Sequence, residues 1–388
     1  MSETERRGAE RPRRSILDFN SSWPLMVVYI GYLVGIHFAQ RATFSLVGGD
    51  KQYAYFLIPL ILGLLVTVIC YNLFKILFAH LSGYQIRYLE FLGFCFDHSG
   101  AKRRFHYDVT KFFDVSLRFY PKDDDLTKNP RKMFLGGLIG EALVAALAIL
   151  LFFLLSFHKT ASYSVIGWGA LFGFAYGFVI ILYEMIPLRQ DVATDIFNFM
   201  KTKKKDDQKA FNLILVNKRR ELQGLDFLVP DFQDYDSYYK AQTLYYLYLS
   251  NLYDSKLEAS VKNLDEMKYF LVDFPENEKY VGPAEYIYLR YLIDDEQGAD
   301  KLYLSLKSDD KAMVRKPTTL SDYRSALFVA AFIQKSKEKI DSIVKQHDAL
   351  LASYPETSRR LTKEKELFDE VYQKIKTKLP ELGLSDRN

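Results

Sequence analysis

Residues 54–80 read AYFLIPLILGLLVTVICYNLFKILFAH, and this stretch decides the fold class. Its one Lys, Arg, Asp or Glu is Lys75. About 20 mostly apolar residues wound into a helix cross the roughly 30 Å hydrocarbon layer of a bilayer, so 54–80 spans it with tilt. Two segments on its C-terminal side repeat the pattern. Residues 133–157 hold a single charge, Glu141, and residues 163–187 hold a single charge, Glu184. On the N-terminal side, residues 24–40 (PLMVVYIGYLVGIHFAQ) are shorter and lie between Trp23 and Arg41. No small-x-small cleavage site follows, so this segment reads as an anchored span rather than a signal peptide, with a helix lying in the interface as the alternative. The expectation is an α-helical polytopic membrane protein of about four spans.

The chain has 388 residues, 49% hydrophobic and 26% charged, figures that would suit a soluble protein. They average two unlike halves, apolar residues being concentrated before residue 200 and charge after it. The two cysteines, Cys70 and Cys95, exclude a disulfide framework and a Cys-x-x-Cys metal site. A net charge of +4 is too small for this length to point to nucleic acid. Lys and Arg near the span ends set orientation. The arm 1–22 carries five Arg before residue 15, the loop 81–132 carries ten Lys or Arg, and Lys203, Lys204 and Lys205 follow the last span. The other two loops are poor in both. These rich segments share one side, which places both termini and the long loop in the cytoplasm, with a bacterial plasma membrane as the expected location.

Within that loop, Tyr84–Phe96 and Arg104–Tyr120 are rich in aromatic and β-favouring residues on either side of a Gly and charge turn. This predicts a cytoplasmic β-hairpin. Cys95, His98 and His106 read as parts of that hairpin and its turn rather than as metal ligands.

From 207 to 388 the chain is polar with apolar stripes at helical spacing. Three stretches, Leu244–Leu252, Ala284–Leu292 and Arg324–Ile333, recur at a period near 40, each followed by a polar break and a second helix. Two of the second helices end alike, at Asp273-Phe274-Pro275 and at Ser353-Tyr354-Pro355. Stacked helical hairpins of this length predict an all-α, tetratricopeptide-like repeat domain. Its Tyr245, Tyr248, Tyr286 and Tyr288 are expected to line a groove for a soluble protein or peptide. The domains expected are thus a basic arm, 1–22, a membrane core, 23–200, and a cytoplasmic repeat domain, 207–388.

Ionisable groups inside spans point to function, because each is costly there unless paired or hydrated. Asn72, Lys75, Glu141, Glu184 and Asp195 form the expected polar cluster. A lysine at the depth of Lys75 should either find a carboxylate or extend its amine to the cytoplasmic surface. The spacing of Gly136, Gly137 and Gly140 permits close helix contact, inside the core or between copies of the chain. There is no phosphate-binding Gly-rich loop, no G-x-S-x-G elbow and no kinase signature.

Tyr71-Asn72-Leu73-Phe74-Lys75, followed by the stretch Gly83 to Phe94, resembles the zinc-helix region of site-2 proteases, which are intramembrane metalloproteases. Glu184-Met185-Ile186-Pro187, then Asp195, is similar to the family's second motif, N-x-x-P followed by D-G. The resemblance covers roughly residues 54–200. It implies that Tyr71 and Lys75 stand where the two zinc-ligating histidines of H-E-x-x-H belong, Asn72 where the general-base glutamate belongs, and Glu184 where the asparagine belongs. Asp195 alone keeps the identity of its counterpart, the third ligand. A catalytic zinc needs three protein ligands and an open position. An ammonium has no lone pair to give, and an amide cannot take a proton from metal-bound water. The resemblance therefore implies a pseudoprotease without cofactor, in which Lys75 replaces the dication and pairs with Asp195 or Glu184. Such a protein would bind a membrane helix or peptide in its core and recruit a partner through the repeats. The alternatives are an active metalloprotease with non-standard zinc ligands and a transporter-associated subunit.

Overall fold

The structure is a computed structural model and describes residues 23–44, 51–91, 93–97, 104–109, 115–157, 161–185, 195–229, 239–267, 281–354 and 358–386. The arm 1–22, the hairpin turn around Ser99, Pro187 and the Asp273-Phe274-Pro275 motif lie outside those residues. The chain divides into two compact units. The first draws on Pro12–Leu92 and Phe113–Asn212, the second on Gly93–Phe112 and Leu213–Asn388.

The first unit opens with helix α1 (Trp23–Phe44) and helix α2 (Lys51–Leu81). Helices α3 (Arg131–Ser156) and α4 (Ala161–Met185) follow the loop, then the short helix α5 (Asp195–Lys201). Two segments, Tyr53–Leu81 and Arg131–Leu155, are long and apolar enough to cross a membrane. Only 22% and 28% of their most apolar windows are buried, so their apolar side chains look outward, unlike those of a soluble core helix. Leu57, Ile61 and Leu62 on α2, with Leu147, Leu150 and Leu154 on α3, make up part of that outward face. A continuous apolar exterior of this kind belongs against lipid or another protein.

Helices α2, α3 and α4 pack on one another through glycines. A Cβ at Gly136 would sit 2.6 Å from Phe78 Cβ, and one at Gly140 would sit 2.7 Å from Phe74 Cβ. One at Gly137 would collide with the Tyr71 ring. The small-residue spacing on α3 thus serves the interior of the core. A second series, Gly169, Gly173 and Gly177 on α4, meets α2 in the same way. A Cβ at Gly169 would strike Phe56 O, and one at Gly173 would lie 2.5 Å from Leu60 O. Small residues four apart let two backbones approach and gain dispersion contact where apolar burial gives no drive. Helix α1 leans on α4, with Tyr32 Oη donating to Phe172 O at 2.7 Å and the Tyr29 and Tyr176 hydroxyls 2.9 Å apart.

The loop holds strands β1 (Tyr84–Phe91), β2 (Phe94–Asp97), β3 (Arg104–Tyr107) and β4 (Val115–Pro121). β1 pairs antiparallel with β4, its register slipping between Ile86 and Tyr88, and β2 pairs antiparallel with β3. The two long arms expected of one hairpin are therefore each divided. Gly93, at φ +78°, supplies the break between β1 and β2, a conformation open to glycine at little cost.

Helix α6 spans Lys205–Leu222. Its first half is held by Asn212, which accepts from Tyr84 Oη and donates to the carbonyls of Leu126 and Lys128.

The second unit is built of helices α7 (Lys240–Tyr253), α8 (Leu257–Met267), α9 (Val281–Leu292), α10 (Glu296–Ser305), α11 (Ser308–Val314), α12 (Leu320–Phe328, running on as a π turn to Ile333), α13 (Lys337–Ala352) and α14 (Arg359–Lys378). The three aligned stretches fall on α7, α9 and α12. Each ends on a residue in the left-handed region: Ser255, Asp294 and Lys335. The amide of the following residue reaches back to a carbonyl of the helix just completed, Lys256 to Asn251, Asp295 to Arg290 and Ser336 to Ala330. This ending satisfies otherwise orphaned carbonyls and turns the chain into the second helix. Tyr248, Tyr288 and Phe328, 40 residues apart, occupy equivalent places in one buried core.

Candidate functional site

Tyr71 and Lys75 are four residues apart on α2 and therefore share a face. Asp195 is the first residue of α5, where the free amides of a helix start favour a carboxylate. These three side chains meet. Lys75 Nζ lies 2.8 Å from both Asp195 oxygens, and Tyr71 Oη donates to Asp195 Oδ2 at 2.9 Å. The amine also sits 3.5 Å from Tyr71 Oη. The Asp195 side chain is 5% exposed and that of Lys75 15%, so the pair is largely withdrawn from water.

Two other members of the expected cluster, Asn72 and Glu141, do not join it. Asn72 donates to Val68 O at 2.8 Å, closing on its own helix one turn back. Glu141 is fully buried elsewhere, beside Gly177 of α4 and Thr67 of α2, and neither of its oxygens has a hydrogen-bond partner among the described residues. Glu184 stands on α4, with its side chain outside the described residues. Among the described side chains the expected cluster is thus reduced to Lys75 and Asp195, joined by Tyr71, because spacing gives the face of a helix and not what lies opposite it.

The donor set does not fit a catalytic zinc ion. Asp195 is neutralised by an ammonium, and the Tyr71 hydroxyl is turned to the same carboxylate as a donor. Among the described residues no three His, Cys, Asp or Glu side chains come together as a metal site would require.

The second unit holds a different cluster. Arg324, wholly buried on α12, donates through Nη2 to Glu285 Oε2 at 3.0 Å and through Nη1 to Glu364. Tyr248 donates to Glu285, Tyr253 donates to Glu364, and the Tyr288 ring lies 4.5 Å from the guanidinium carbon. Burial pushes the Glu285 carboxyl up, with Arg324 pulling it back. The groove expected of the tyrosines is corrected here. Tyr248 and Tyr288 are interior residues. Tyr245 and Tyr286 are half-buried, with their hydroxyls on Ser321 and Asp265. An amphipathic stripe marks the buried face of a helix, and two of the four tyrosines belong to it.

Sequence reasoning missed Thr67, Gly177, Glu285 and Glu364. The glycine triplet at 169, 173 and 177 carried a signal for the first two, and Glu285 within the apolar stretch Ala284–Leu292 carried one for the third. No protein-family model, curated protein or solved structure matches this chain.

Proposed function

We propose that this chain is a membrane-embedded binding protein of about four spans, with a site-2-protease-like core that has lost its metal chemistry and a C-terminal tetratricopeptide-like domain that recruits a soluble partner from the cytoplasm. The observation that carries the reading is the ion pair of Lys75 with Asp195. Under the family resemblance, Asp195 is the surviving ligand, and the lysine on α2 sets one positive charge against it. The pair ties α5 to α2, the role a bridging metal would have structurally. The core would then serve to bind a membrane helix or extended peptide. The basic segments on one side support cytoplasmic termini.

Metal analysis of the purified full chain tests this. The expected result is no stoichiometric zinc in the wild type or in Asp195→Ala. Stoichiometric zinc in the wild type that is lost in Asp195→Ala would overturn the reading in favour of an active metalloprotease. Reporter fusions at each terminus test the orientation, and both should report the cytoplasm.

A further inference from the structure

The most unusual group in the first unit is outside the ion pair. Glu141 lies about two-fifths of the way along α3, wholly buried, with both carboxyl oxygens unpartnered among the described residues. Its Oε2 presses on Gly177, so closely that any side chain there would collide with it. Thr67 reaches the same glycine from α2. A Cβ at Gly177 would lie 3.2 Å from Thr67 Cγ2, and the Thr67 hydroxyl is also buried with no hydrogen-bond partner among the described residues. Three helices thus converge at this point, with the last glycine of the α4 series leaving the space for the carboxyl.

Among the described residues, the charged and titratable groups of the packed elements do not offer Glu141 a counter-charge. On α2, Lys75 is bound to Asp195, and Tyr71 donates to Asp195. Lys75 is also eight residues from Thr67, about 12 Å along the axis. Cys70, on the turn beside Thr67, lies within electrostatic reach and would add only negative charge. On α4, Tyr176 is engaged with Tyr29 of α1, and Glu184 stands seven residues beyond Gly177. On α5, Asp195 is a second carboxylate. An ionised carboxylate with neither a donor nor a cation, enclosed by apolar helices, is far costlier than a neutral acid.

We propose that Glu141, with Thr67 as its hydroxyl neighbour, is an intramembrane proton-binding site, the carboxyl holding a proton at neutral pH. The ligand is a proton rather than a metal cation, since a cation would need several oxygens converging on it, and among the described residues this place offers one carboxyl and one hydroxyl. Thr67, Tyr71 and Lys75 are successive i, i+4 positions on one face of α2, so a single polar stripe links this site to the Asp195 pair. The inference does not rest on the pseudoprotease reading.

Infrared spectroscopy of the full chain in lipid nanodiscs tests it. The expected spectrum at neutral pH contains a protonated-carboxyl band that is absent from Glu141→Gln and bleaches as the pH is raised. A folded Glu141→Gln protein with an unchanged carboxylic-acid region would overturn the proposal. Should Glu141→Gln fail to fold, Glu141→Asp gives a second measurement. A shifted protonated-carboxyl band supports the proposal, and an unshifted one overturns it. Loss of the wild-type band when sodium chloride replaces choline chloride would also overturn it, by assigning the site to a cation. Zinc content leaves this result untouched, so the two proposals fail separately.

Discussion

The two units each withdraw a cation from water onto carboxylate, and they do so differently. Arg324 is wholly buried between two glutamates from two other helices and is further enclosed by three tyrosines. Among the described residues Lys75 meets Asp195 and the Tyr71 hydroxyl, and it keeps some exposure. Arginine's planar fork can address two carboxylates at once and stays charged under any burial, which suits a junction of three helices. Lysine is a point charge on a flexible stem, suited to one partner near the end of its helix. The first cluster locks α9, α12 and α14 into one arrangement, and the second fastens a short helix to a long one. A cation between several elements is structurally central; a cation joining one pair is replaceable.

The comparison can be broken by substitution. Arg324→Met leaves Glu285 and Glu364 facing each other without compensation, so the second unit should lose about 3–5 kcal/mol. The measurement is chemical denaturation of the purified chain followed by far-ultraviolet circular dichroism. Lys75→Met leaves Asp195 with the Tyr71 hydroxyl and some access to water, and should cost about 2–3 kcal/mol, read as a lower thermal midpoint in detergent. If Lys75→Met proved as costly as Arg324→Met, the distinction between central and replaceable cations would fall. Tyr71→Phe removes one hydrogen bond to a charged group while keeping the ring against Gly137, and should cost about 1.5 kcal/mol in the same assay. Combined with Lys75→Met, it should show a non-additive loss, since both act on Asp195. The smallest effect is expected at Ser358, whose side chain accepts from the amide of Leu361 at the start of α14. Ser358→Ala should cost about 1 kcal/mol, on the second unit alone.

Much of the fold was legible because it depends on local pattern. The long apolar run at 54–80 forms α2, the apolar runs at 133–157 and 163–187 fall on α3 and α4, and the 40-residue recurrence falls on α7, α9 and α12. The loop was legible as strand and turn, but its interruption at Gly93 was not, because a glycine in a strand-like sequence marks a bulge, a turn or a break equally well. The helix ends at Ser255, Asp294 and Lys335 were not legible either. None of the three is glycine, and each takes a left-handed conformation that ordinary residues adopt only when the surrounding chain requires it.

The candidate site divides along the same line. The amino-acid sequence alone determined that Lys75, Glu141 and Asp195 are unusual, because a charge in or beside an apolar helix is costly wherever it points. It also determined that no H-E-x-x-H motif is present and that small residues line α3. Only the tertiary structure decided that Lys75 meets Asp195 and not Glu141, that Asn72 turns back on its own helix, and that the glycines of α3 face inward. It also decided that Tyr248 and Tyr288 are interior. The physical reason is common to all of these. Periodicity fixes which residues share a face of one helix, whereas the partner of that face is set by how several helices pack, a property no single stretch of chain contains.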